Sequence, residues 1–340
     1  LVELQSSVQE RAQAPLLPLL RLRSASGLSP PAFGVLSGVL TVALVLAPAF
    51  LLEVSEAVFR DVLGGALFFG LNIAILTGFA PSVIAGAAQD LRRLAPVLPL
   101  DDESVTLAVR SLSRMPLKQQ RQVFAAGAVL GLVHSWLLAY AQNPAPFAIT
   151  QYLSTVLLWV AMWLTVPAFI INARLFSALG QIARPDLLRP SRHSAFGAAA
   201  LRPGLLIVGL LCAYSLLFIG DDDPLNGAVW IGVGVSLFSL LGIVSLPLRG
   251  IRRRIREQRA RTLADLDHRL DAITSGDIAS AGAEDLFQLD ALLDMRERVA
   301  RAPSWPFDVD AVRRILLYTV LPPLTWAAAA IVEMFIDSMI

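Results

Sequence analysis

His134, with Ser135 beside it, is the titratable side chain set deepest in an apolar stretch of this 340-residue sequence. An unperturbed imidazole titrates near pH ~6.5, so a histidine there can sense protons or contact an ion. The structural alternative is a neutral ring bonded to a carbonyl or a hydroxyl. The other two histidines, His193 and His268, are too dispersed to form a metal cluster with it. Cys212 is the lone cysteine, which excludes a disulfide framework and a cysteine-rich metal site. No zinc-protease helix motif, Gly-rich phosphate loop, nucleophile elbow or dinucleotide turn occurs. The residues point away from an enzyme and imply no metal or cofactor.

A second group can act on ions through its placement. Pro322 and Pro323 fall in the middle of the last apolar stretch, where they remove two backbone donors and kink any helix. Freed carbonyls can line a hydrated cavity. Glu333 and Asp337 follow at the far end of that stretch, and Asn72 is a polar residue inside another. With His134 these are the candidate pore or gating residues. Glu53 and Glu56, and the run Asp221, Asp222 and Asp223, form acidic loops. Rings of carboxylates favour cations; the plainer reading is that short acidic loops keep helix ends wet.

The elements that must position these residues are membrane spans. The composition is 56% hydrophobic and only 16% charged, against about 25% charged in soluble domains. About seven stretches reach the roughly 20 apolar residues a crossing helix needs: Phe33 to Leu52, Val62 to Ala85, Val123 to Tyr140, Ile149 to Ile171, Pro203 to Ile219, Ala228 to Leu246 and Ile315 to Ile336. None shows the polar stripe of a soluble amphipathic helix.

Charge placement gives the orientation. Of the 28 basic residues, all but Arg60 fall on one side of a seven-span arrangement. Basic residues collect on the cytoplasmic side, so the N-terminus is expected inside and the C-terminus outside. The arginine bias (Lys118 is the single lysine), with abundant Ala and Leu, points to a GC-rich bacterial genome and hence to the inner, cytoplasmic membrane.

The fold class expected is therefore all-α and polytopic, divided into four parts. Residues 1–32 form a cytoplasmic N-terminal segment, and 33–248 a six-span region with a loop helix over 101–115. Residues 249–310 form a cytoplasmic helical hairpin, and 311–340 the seventh span with a short outer tail. Asp101 and Asp102 are placed to cap the loop helix. The hairpin opens on Arg252, Arg253, Arg254 and Arg256, which suit anionic lipid headgroups and need no nucleic acid to explain them. Leu263, Leu266, Leu270 and Ile273 follow with the three-four-three spacing of a packed seam. Leu286, Leu289 and Leu293, with Leu292, are expected to face it from the second arm. Gly34 with Gly38, and Gly127 with Gly131, are small-xxx-small pairs for close helix packing within or between subunits.

The layout, seven helices with the N-terminus inside and a cytoplasmic helical region before the last span, is similar to that of insect chemoreceptor channels, in layout alone. Two functions fit these features: a homo-oligomeric ion channel or pore, and a membrane scaffold or sensor whose cytoplasmic helices bind a protein partner. A transporter of a neutral solute is a third.

Overall fold

The computed structural model describes residues 2–138, 144–218, 227–275 and 283–302, together with Arg313, Leu317, Val320, Leu321, Leu324, Thr325 and Ala328. Pro322, Pro323, Glu333, Asp337 and the Asp221, Asp222, Asp223 run lie outside the described residues. Among the described residues the chain is all-helical and without strands; Leu16 and Arg114 form an isolated antiparallel bridge.

The helices are α1 (Val2–Gln13), α2 (Pro18–Ser26), α3 (Pro30–Leu51), α4 (Glu56–Leu94), α5 (Asp102–Ser111), α6 (Leu117–Leu137), α7 (Ala145–Ile182), α8 (Ser194–Ala213), α9 (Gly227–Thr274) and α10 (Ala283–Arg301). Four of them, α3, α4, α7 and α8, are long and apolar enough to cross a membrane. The surfaces of α3 and of the shorter α6 follow the membrane rule of small residues inward and large ones outward. On α3, Gly34, Gly38 and Thr41 are buried while Val35, Leu36, Val39 and Leu40 are exposed. On α6, Gly127, Gly131 and Ser135 are buried while Phe124, Val133 and Trp136 are exposed. A water-soluble surface does not carry apolar area of that extent.

Both glycine pairs pack within the chain. A Cβ on Gly34 would sit 2.7 Å from the Ala74 carbonyl oxygen and 2.8 Å from Gly78 Cα, and one on Gly38 would sit 2.8 Å from the Gly70 oxygen. So α3 lies backbone to backbone on a second small-residue run of α4, Gly70–Ala74–Gly78. On α6, a Cβ at Gly127 or Gly131 would meet the Cα of Val160 at 2.9 Å or of Val156 at 2.7 Å, on α7.

α4, α7, α8 and α9 form the middle of the bundle, with α3 against α4 and α6 against α7. At one end the N-terminal helices turn back onto the loop helix: Asp101 caps α5 by accepting from the Ser104 amide at 3.3 Å, and α1 packs on α5. One continuous helix joins span six to the first arm of the hairpin across residue 249. α9 runs unbroken for 48 residues, about 72 Å at 1.5 Å per residue. Arg, Gln, Ala and Leu after Pro247 are all good helix formers, so the chain continues where its polarity changes.

α9 and α10 pack as a hairpin across the undescribed stretch 276–282. Leu266 and Val299 are buried in its seam, and Leu263, Leu270, Ile273, Leu289 and Leu292 are half-buried. The seam differs from expectation at Leu286 and Leu293, both exposed. The Arg296–Asp267 ion pair and Arg259 bonding to carbonyls at the α10 end turn the 289/292/299 side of α10 inward and those leucines outward.

Candidate functional site

The site assembles from prolines. α4, α7, α8 and α9 each contain one in their interior: Pro81, Pro167, Pro203 and Pro247. Each removes a helical hydrogen bond and leaves the carbonyl four residues earlier without its usual donor. The four helices meet around a cavity of about 20 Å³, room for a single water. Pro203 and Pro247 line it directly, and Val83 and Phe169, two residues after Pro81 and Pro167, complete the ring. Asn172 is its one polar wall. Ala199 and Ile243, whose carbonyls lose their donors to Pro203 and Pro247, also line it.

A second contact region, formed by Leu17, Leu19 and Leu20 with Pro81, Ile84, Thr165 and Phe169, seats the start of α2 between α4 and α7. The N-terminal segment is thus a strap across the gap between two of the four helices. Polar bonds hold it there. Arg11 donates to the Ser111 carbonyl at 3.0 Å and to Asn172 Oδ1 at 3.2 Å, and Asn172 Nδ2 donates to the Leu112 carbonyl at 3.1 Å. The Leu17 amide donates to Ser113 O at 3.0 Å, Met115 N to Pro15 O at 3.1 Å, and Arg114 to Ala14 O at 2.7 Å. Gln120 donates to the carbonyls of Met115 and Leu16 and accepts from Arg21. Burial pushes the Arg11 guanidinium down to about 10, which leaves it charged at neutral pH.

Beyond the cavity, α4 and α8 share a buried ion pair. Asp90 is fully buried and accepts from Arg202 at 3.1 Å, with Arg93 at 3.9 Å. Gly86 makes room for it: a Cβ there would lie 2.7 Å from Arg202 Cζ, so the Arg202 side chain passes close over the α4 backbone. In the connection between α7 and α8, His193 Nε2 accepts from the Asp186 amide at 2.8 Å, and burial holds its proton affinity below the usual histidine range.

The residues singled out from sequence divide between this region and others. His134 Nδ1 accepts from Trp159 Nε1 at 2.9 Å, with the two rings edge to face; it is a neutral acceptor joining α6 to α7, away from the cavity. Asn72 is buried and turned back on its own helix, Nδ2 donating to Phe68 O at 2.8 Å. Glu53 adopts a left-handed conformation (φ 46°) in the α3–α4 turn, and Glu56 pairs with Arg60 at 2.8 Å on the surface, where such a pair contributes little. The four hairpin arginines take different roles. Arg253 pairs with Glu257 and, like Arg256, is exposed, whereas Arg254 donates to the Ala183 carbonyl that ends α7, at 3.3 Å. Arg252 is half-buried.

Sequence reasoning alone leaves out Asp90, Arg202, Arg11 and the proline layer. The last left a signal, an interior proline in each of these four helices, although α3 carries one as well, Pro48, outside the layer. No family model, curated protein or solved structure matches the chain.

Proposed function

We propose that the protein is a seven-span integral membrane protein, N-terminus cytoplasmic and C-terminus outside, that works as a homo-oligomeric gated pore and is closed in this conformation. One observation carries the reading: four proline-bearing helices converge on one small cavity, and an N-terminal strap covers the gap between two of them. A proline in a helix is a point where it can bend. Four at one level let the ends of α4, α7, α8 and α9 swing relative to the rest and widen the cavity. The tight backbone packing of α3 on α4 and of α6 on α7 keeps the remainder rigid.

The segregation of arginines supports the orientation, and a bacterial inner membrane fits the arginine-rich composition. α6 and the first half of α9 supply spans three and six, and residues 315–336 supply span seven. Cysteines placed at Asn226 and Ser338 should react with a membrane-impermeant reagent from outside intact cells, and one at Ser275 should not. Labelling at Ser275 would overturn the orientation. The carboxylates of the loops expected outside favour a cation as the permeant species. The pore itself is tested by planar-bilayer recording on the purified protein, alongside its mass in native membranes. Discrete current steps from an oligomer support it.

A silent monomer would favour the second reading, a membrane scaffold whose cytoplasmic helices bind a protein partner. That reading rests on the outward face of α10, where Phe287 is 80% exposed beside Leu286 and Leu293.

A further inference from the structure

The α4–α8 seam holds a carboxylate whose two oxygens are served unequally. Asp90 Oδ1 accepts from Arg202 at 3.1 Å and lies 3.9 Å from Arg93. Oδ2 is enclosed to the same degree and has no hydrogen-bond partner. An ionised carboxylate is an acceptor on both oxygens, and a buried acceptor without a donor is costly. Adding a proton to Oδ2 turns that oxygen into a hydroxyl and removes the buried negative charge.

We infer that Asp90 is a proton-binding site that regulates the proposed pore from its cytoplasmic end. Oδ2 takes a proton that comes from solvent, and an O–H bond forms. Arg202 keeps its own protons but loses its anionic partner. Its side chain, about one third exposed, is then free to turn toward water or lipid phosphate, and the tie between α4 and α8 slackens one turn beyond the cavity. The regulatory role rests on the pore reading; the protonation does not.

The charged groups acting on Asp90 are Arg202 from α8 and Arg93 from α4 itself. Burial pushes the carboxyl up to about 6 from 3.8, against the downward pull of Arg202 and then Arg93. With the folded value raised, the stability contributed by protonated Asp90 is complete below 3.8 and is lost as pH rises through about 6.

The test uses the purified full chain in detergent. Infrared difference spectra between mildly acidic and neutral pH should show a protonated carboxyl band that Asp90→Asn removes. Asp90→Asn should also flatten the fall in Tm with pH across that window. Arg202→Gln, which leaves the acid in place, should move the midpoint of the band upward by about 1 unit or more. A spectrum that Asp90→Asn leaves unchanged, or a midpoint that Arg202→Gln does not move, overturns the assignment. Neither readout involves current, so failure here and failure of the pore reading are distinguishable.

Discussion

Gly250→Ala is expected to unfold or severely loosen the bundle, although it adds one methyl group to a helix. At this point α9 lies backbone to backbone on α7. The new Cβ would collide with the Ser177 carbonyl group, whose carbon would be 2.7 Å away. The facing glycine is as tight: a Cβ on Gly180 would lie 2.5 Å from the Ile251 nitrogen. Ile251 is fully buried beside this contact, so α9 cannot withdraw without opening apolar core. Overpacking that a side chain can relieve costs about 1–3 kcal/mol. Here the obstacle is backbone, and a loss of about 3 kcal/mol or more is expected. The control lies on the same helix. A Cβ on Gly242 meets nothing within 4 Å, so Gly242→Ala should be neutral or stabilising by up to about 1 kcal/mol from helix propensity. Thermal unfolding of both variants in one detergent is the measurement. Equal melting temperatures would mean that α7 and α9 do not approach this closely.

The same two helices show why some of this architecture is legible in sequence and some is not. Gly34 and Gly38 stand four apart, so their pairing on one helix face can be read directly, as can the Gly70–Ala74–Gly78 run that receives them. Gly180 and Gly250 have no local partner, and only the fold brings them together. Asp90 precedes Arg92 and Arg93 near a helix end, which reads as a solvated junction. It is buried because Gly86 lets Arg202, distant in sequence, lie across α4. Arg11 likewise reads as one more basic residue before the first span. Its burial depends on where α1 docks, which periodicity does not encode. His134 is the opposite case: its chemistry is legible in the sequence, but its partner Trp159 on α7 is supplied only by the packing of α6 on α7. The change of composition at residue 249 marks a change of surroundings, but helix propensity does not change there, so α9 continues through it.

Arg11→Ala is expected to release the N-terminal strap. Arg11 joins three elements: it leaves α1, terminates α5 at the Ser111 carbonyl, and reaches Asn172 on α7, the polar wall of the cavity. Hydrogen bonds from a charged donor contribute about 1.5–3 kcal/mol each in mutational series, and truncation also leaves Asn172 Oδ1 enclosed without this donor. The remaining strap contacts run through residues 14–17 and Gln120 to the α5–α6 turn. They should hold the chain near residue 17 while α1 comes away. Limited proteolysis of membranes from the cytoplasmic side should therefore cut within residues 2–13 several-fold faster in Arg11→Ala than in the parent. Asn172→Ala should do the same more weakly, because the bond to Ser111 survives. In bilayers the variant should raise open probability, since Asn172, the polar wall of the cavity, then loses its tie to α1. Unchanged cleavage would show that α1 is held by its apolar contacts with α5 and that Arg11 is incidental to the strap. Faster cleavage with unchanged current would keep the strap and remove it from the gate.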